Sequence, residues 1–269
     1  MDSSPDYKFI FFNVGQGDAT LLCYQITKKS ILVDAYKSEP ILEELKNADL
    51  NLNAIFISHW DTDHIKGLVD ILEYQKRLKS KVILGVNRQI KDTKVAKIFS
   101  QKIDEAIEEG TIERNDTIPL LNQHVSLPDI EGFDIVILWP PNFQMLRDSD
   151  VNNDSVILKI KINGKNLLLL PGDASGDCWD KIETGKLKAD IFKYPHHGGS
   201  IAKSITAKEL IEKVNPKKVV VSYGKNNSYG HPGSDFKNAK SELSNNIEFY
   251  DTTSNHIVIY YDSNKNILS

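Results

Sequence analysis

Short apolar runs broken by polar turns alternate with amphipathic stretches over the whole chain. Period-two or fully apolar runs predict strands at residues 8–12, 19–26, 30–34, 54–58 and 81–85. Between the first two lies Asn13-Val14-Gly15-Gln16-Gly17-Asp18, whose glycines allow a tight turn. Helical spacing appears over 39–48, through Ile41, Leu42 and Leu45, and again over 67–77. Residues 91–109 form a charged amphipathic helix with Val95, Ile98, Ile103 and Ile107 apolar. Such a helix suits the face of a sheet, and a partner-binding helix is the alternative. The stretch 111–133 shows no clear period and reads as hairpins and loop.

The second half repeats the scheme. A strand at 134–139 is stopped by Pro140-Pro141, and 143–153 is a polar loop. Strands at 155–162 and 165–170 are joined by Asn163-Gly164, a strong hairpin signal. Buried strands follow at 191–194 and 218–222, with a helix over 206–214 between them that ends at Asn215-Pro216. A final pair, 247–250 and 256–261, is expected to close the sheet. Each half carries strands and then helix, which predicts two sheets packed face to face with helices outside. No linker, repeat or low-complexity tract divides the 269 residues, so one domain over 1–269 is expected.

Composition narrows the function classes. The chain is 40% hydrophobic and 26% charged, as ordinary globular proteins are. Cys23 and Cys178 are its only cysteines, which excludes a disulfide scaffold and a thiolate-rich zinc cluster. Apolar runs such as Leu167 to Leu170 are far short of a membrane span, and residues 1–8 lack the order of a secretory signal. A soluble, cytoplasmic protein that does not engage membranes is expected. A net charge of −4 argues against a bulk electrostatic binder of nucleic acid. Locally, residues 186–225 hold nine Lys and three acids, either a nucleic-acid-facing patch or solvated helix faces.

Chemistry concentrates at strand ends. In Ser58-His59-Trp60-Asp61-Thr62-Asp63-His64, four side chains of metal-ligand type follow an apolar strand and precede a helix. A turn there can feed two cations a few Å apart. The bland alternative makes Asp63 a helix cap and both His surface residues. Asp173 follows the apolar strand at 165–170, His196 and His197 follow the strand at 191–194, and His231 comes seven residues past Gly224. Repetition of such residues at corresponding strand ends is what a ligand-bearing edge would produce.

These motifs resemble the metallo-β-lactamase superfamily, and within it the branch typified by the nuclease-like domain of ComEC-type competence proteins. The resemblance rests on Phe12 to Ala19, Ser58 to Leu68, Asn152 to Ser155, Pro171-Gly172-Asp173, His196 to Ser200 and Tyr229-Gly230-His231-Pro232. It implies a four-layer αββα sandwich with a one- or two-metal site along one edge. By position, His59 and Asp61 resemble ligands of a first metal, Asp63 and His64 ligands of a second, and Asp173 the carboxylate between them. His231 is the expected last ligand of the second metal, with His196 or His197 as the rival. Asp18 resembles a supporting acid that holds a ligand loop, and Asn153 and Ser155 are further supporting residues. Ser200, Asn227 and Tyr229 are candidates for substrate contact.

Two departures from the superfamily matter. Asp61 stands where a His is commonest, and the region of Asn152 to Ser155 lacks one, so the ligand set shifts toward oxygen. That favours Mn²⁺ or Mg²⁺ relative to an all-imidazole Zn²⁺ site. The doubled glycine, Gly198-Gly199, differs from the branch's usual single one.

The activity implied is a metal-dependent phosphodiesterase, in particular a nuclease acting on DNA or RNA through a metal-bound hydroxide. Asp63, Lys193 and the His196–His197 pair are its catalytic candidates, Lys193 for charge stabilisation and the His pair for proton donation. A hydrolase of a small ester, lactone or lactam is the alternative, and a non-catalytic binding subunit a third reading. A companion protein or a homo-oligomer fits a stand-alone member of this branch.

Overall fold

Alternation along the strands sorts the apolar side chains into three layers. The computed structural model describes residues 5–86, 90–113, 117–119, 124–125, 132–141, 155–176, 178–201 and 204–269. Its first half contains β1 (Tyr7–Phe11), β2 (Ala19–Tyr24), β3 (Lys29–Ala35), α1 (Glu39–Asn47), β4 (Asn51–Phe56), α2 (Thr62–Ile65), α3 (Leu68–Leu78), β5 (Ile83–Val86), α4 (Lys94–Glu108), β6 (Thr117–Pro119) and β7 (His124–Val125). The second contains β8 (Asp134–Trp139), β9 (Ile157–Ile162), β10 (Lys165–Leu170), α5 (Cys178–Lys181), α6 (Thr184–Leu187), β11 (Ile191–Lys193), α7 (Ala207–Val214), β12 (Lys218–Val221), α8 (Ser234–Leu243), β13 (Glu248–Asp251), β14 (Ile257–Asp262) and β15 (Ile267–Leu268).

One sheet runs β15-β14-β1-β2-β3-β4-β5-β6 and the other β13-β12-β11-β10-β9-β8-β7. Phe9, Phe11, Val33 and Phe56 of the first sheet meet Ile137, Leu158, Leu168 and Ile191 of the second in a central layer. The opposite faces carry Ile10, Leu32 and Ile55 against α1, α3 and α4, and Leu169, Phe192 and Val219 against the second set of helices. These layers make the expected αββα sandwich. No helix among the described residues is long and apolar enough to cross a membrane.

Several local expectations change. The C-terminal pair does not pair with itself: β13 runs parallel to β12, while β14 joins β1 antiparallel in the other sheet. Ile259 and Tyr261 of β14 then fill the central layer. In the stretch read as hairpins, β6 adds to β5 and β7 to β8, again in different sheets. Helix α4 starts at Lys94, its first turn held by Thr93 Oγ1, which accepts from Ala96 N–H at 3.1 Å. Its buried face is Ala96, Phe99, Ile103 and Ala106, so the helix covers the sheet and Ile98 is turned toward solvent. Helix α8 carries no apolar period in the sequence, since only Phe236 and Ala239 are buried in an otherwise polar segment.

Candidate metal centre

The site gathers where β3, β4, β10, β11 and β12 end together. Its foundation is Asp34, next to last in β3, buried, with φ 56° in the left-handed region. One carboxylate oxygen accepts from Ser58 N–H at 2.8 Å. The other accepts from Ser58 Oγ at 2.6 Å and from His64 Nδ1 at 2.9 Å. His64 therefore gives its Nδ1 hydrogen to Asp34 and presents Nε2 to the site, as carboxylate-backed metal histidines do. Sequence reasoning passed over Asp34 as the end of a strand. Its signal was an acid terminating the apolar run Ile31-Leu32-Val33, the pattern that singled out Asp173. We predict that Asp34→Ala weakens manganese or zinc affinity by about 10–100-fold in a calorimetric titration. Unchanged affinity would remove Asp34 from that role.

Ligand atoms of Asp63, His64, Asp173 and His197 all lie within 4.8 Å of one another. His197 Nε2 is 3.1 Å from Asp63 Oδ2 and 3.6 Å from Asp173 Oδ2, and His64 Nε2 is 3.3 Å from Asp173 Oδ1. His59 and Asp61 flank this group. His59 Nε2 is 3.7 Å from Asp61 Oδ2 and 3.9 Å from Asp173 Oδ2. Asp173 thus stands between a His59–Asp61 side and an Asp63–His64–His197 side. Asp63 does not cap α2, whose N-cap residue is Asp61.

The donor set fits divalent cations. His59 Nε2, His64 Nε2 and Asp173 Oδ1 are buried and take no hydrogen bond among the described residues, an arrangement that is costly unless a cation completes it. Burial alone would raise the Asp173 carboxyl, but His197, His64 and His59 hold it well below the usual carboxylate range. Burial likewise opposes charge on His64, and Asp173 with Asp34 outweighs it, pushing that imidazole well up. The Asp61 carboxylate also meets the Lys91 ammonium, a partner that no motif announced. Gly172, at φ 55°, lets the two sheets touch here: a Cβ would lie 2.6 Å from that of Ser58.

The other candidates fall around this cluster. Asp18 N–H donates to Asp63 O at 3.1 Å, while its carboxylate pairs with Lys193 at 2.7 Å. The ammonium of Lys193 is thereby turned to Asp18, not outward. Ser155 Oγ accepts from Asp173 N–H at 3.2 Å, and Asn153 lies outside the described residues. His196 points away from the four, its Nδ1 donating to Ser200 O at 2.8 Å, and Ser200 is exposed. His231 is also outside the four, its ring 6.2 Å from that of His197. Asn227 spends its amide on the loop, accepting from Tyr229 and His231 N–H and donating to Gly224 and His231 carbonyls. Tyr229 is exposed and stacks on His231 at 5.7 Å.

No protein-family model matches the chain. ComE operon protein 3 of Bacillus subtilis is 27% identical over 244 residues, covering 82% of this chain and 29% of that longer protein. The chain therefore spans less than a third of this relative. Among solved structures, the metallo-β-lactamase fold protein YhfI of Bacillus subtilis superposes with a TM-score of 0.60 at 13% identity, over 94% of this chain and 99% of that one. The short form of human tRNase Z gives 0.50 at 14% identity, over 93% and 98%. The chain has the metallo-β-lactamase fold and resembles, across most of its length, the ComEC-like branch of that superfamily.

Proposed function

We propose that the chain is a metal-dependent phosphodiesterase acting on nucleic acid. The observation that carries this reading is a cleft lined by Lys37 and Lys66, which stand three residues after Asp34 and two after His64. The cleft has a volume of about 410 Å³, and Tyr36, Lys37 and Lys66 line it. The Tyr36 side chain and the Asp63 carbonyl both lie against Gly17, which links one wall of the cleft to the loop that carries Asp63. Lys66 lies over the Tyr36 ring at 5.6 Å, and neither it nor Lys37 forms an ion pair among the described residues. Glu39 and Asp70 line the cleft too, and Asp70 accepts from Ser38 Oγ. An aromatic ring beside ammonium groups without an ion pair among the described residues suits a strand whose bases stack and whose phosphates are neutralised.

The lysine-rich segment at 186–225 supports a different placement of substrate from the one its composition suggested. Lys186, Lys193, Lys208, Lys213, Lys217 and Lys218 pair with Glu183, Asp18, Glu242, Asp180, Asp190 and Glu248. That charge is largely spent within the fold. Lys37 and Lys66 are better placed. Replacing both by Ala should weaken binding of a labelled single-stranded oligonucleotide and flatten its salt dependence by about 1.4 in log K against log salt, 0.7 for each phosphate contact. An unchanged slope would move the substrate elsewhere.

A divalent cation at the cluster would acidify a water and draw charge from phosphoryl oxygens. Asp61, Asp63 and Asp173 weight the donors toward oxygen, so we expect faster turnover with Mn²⁺ than with Zn²⁺, whatever their order of affinity. The reading is tested by metal content together with single-stranded DNA, duplex DNA, RNA, bis-p-nitrophenyl phosphate, a lactone and a β-lactam. Cleavage of a carboxylic substrate with no phosphodiester cleaved would overturn it.

A further inference from the structure

We propose that Gln16 fixes His231 as a neutral Nε2–H donor to a phosphoryl oxygen of the substrate, outside the metal's ligand set. The identity of that oxygen rests on the phosphodiesterase reading; the state of His231 does not. The deduction starts from a backbone amide, which can only donate. Gly224 N–H lies 3.0 Å from Gln16 Oε1, so this atom is the oxygen and the opposite arm of the amide is the NH₂. That NH₂ is 3.0 Å from His231 Nδ1 and can only donate in turn. His231 Nδ1 must then be the acceptor, and the ring's hydrogen sits on Nε2.

A ligand role for His231, expected from the sequence, needs a free lone pair on one ring nitrogen. Nδ1 has given its lone pair to Gln16, and Nε2 has none to offer. His197 differs in the same terms. Its Nδ1 can donate to Ser222 O at 3.1 Å, which leaves Nε2 bare toward Asp63 and Asp173.

Gly199 shows what lies beside His231 Nε2. A Cβ at this position would lie 2.7 Å from His231 Nε2, closer than side chains pack. Gly199 is not left-handed, so its value is room and not conformation. It is the second glycine of the doublet, the point at which the sequence departs from the branch it resembles. The imidazole thus occupies space that a side chain at 199 would take, beside His197 and the cluster. Asn227 holds the backbone of His231 on both sides, so the ring is placed before substrate arrives. A neutral imidazole donating to developing negative charge is an established catalytic device. Losing one positioned donor of that kind costs roughly 10²–10³ in turnover.

The state of His231 is read directly by histidine ring ¹⁵N–¹H correlation spectra of the zinc-loaded, ¹⁵N-labelled protein. We expect His231 protonated on Nε2 alone, and in Gln16→Glu, whose carboxylate accepts from both neighbours, protonation to shift to Nδ1. Gln16→Met, which cannot accept or donate there, should leave a mixture of tautomers. Protonation on Nδ1 in the unaltered protein, or zinc bound to a His231 nitrogen, would overturn the proposal. His231→Ala should keep the zinc content of the parent while turnover on bis-p-nitrophenyl phosphate falls about 100-fold, with KM little changed. Loss of zinc would make His231 a ligand, and unaltered turnover would end its role as donor. Should the parent cleave no phosphodiester, the function proposed above fails, and the spectra and zinc content still decide the state of His231.

Discussion

Asp63→Ala should reduce turnover by more than about 100-fold, exceeding the loss typical of residues that merely support a ligand. The apoprotein should nevertheless stay folded, with a stability within about 1 kcal/mol of the parent apoprotein. The asymmetry follows from where Asp63 stands. It belongs to the short helix α2, with its side chain 32% exposed, and contributes nothing to the three apolar layers. Its carboxylate is held by His197 and opposed by Asp173. Chelation should behave likewise, abolishing turnover and leaving the far-ultraviolet circular dichroism intact. Melting would then fall only by the binding free energy withdrawn, about 4 kcal/mol for a metal at 1,000 times its Kd. Normal metal content with full turnover in Asp63→Ala would show that the cluster is not the reactive centre. A variant unfolded without metal would show that the layers do not hold the fold alone.

What the sequence discloses and what it hides divide along a physical line. Strands β8 and β10 and the Asn163-Gly164 hairpin are legible because alternation, apolar runs and turn chemistry are local. The partners of β13 and β14 are not, since strand pairing is chosen among edges that come together only in the fold. The same holds at the site. Ligand-type residues at strand ends mark the edge, and four of them converge. The identity of the third imidazole is hidden, because His196 and His197 are adjacent and only the fold turns one to Ser200 O and the other to Asp63. Asp34 was hidden for another reason: its worth lies in three donors from β4's exit and α2, none near it in sequence.

Lys193→Met should destabilise the protein by about 3–5 kcal/mol, the usual result of leaving a buried charge without its partner. In β11, Ile191 faces the central layer and Phe192 the helices, so alternation returns Lys193 to the space between the sheets. Asp18 enters that space from the turn before β2, and the two meet at 2.7 Å with their side chains 3% and 6% exposed. Burial by itself would raise the Asp18 carboxyl. Lys193 first, then His197 and His64, outweigh it and hold the carboxyl below its ordinary value. A carboxyl lowered in the folded state stabilises above its unfolded pKa of about 3.9, and that contribution is lost as pH falls through the folded value. Without Lys193, the largest influence opposing burial is gone and only His197 and His64 remain against it, so the Asp18 carboxyl is expected to rise. The deficit of Lys193→Met, measured by urea unfolding of the metal-free proteins, should therefore be largest near pH 7 and shrink toward pH 4.5. Asp18→Asn combined with Lys193→Met removes both charges at similar volume and should recover most of the loss, giving a coupling of at least about 2 kcal/mol. A deficit independent of pH, or a double variant no better than Lys193→Met alone, would mean that the pair is not what joins the two sheets beside the site.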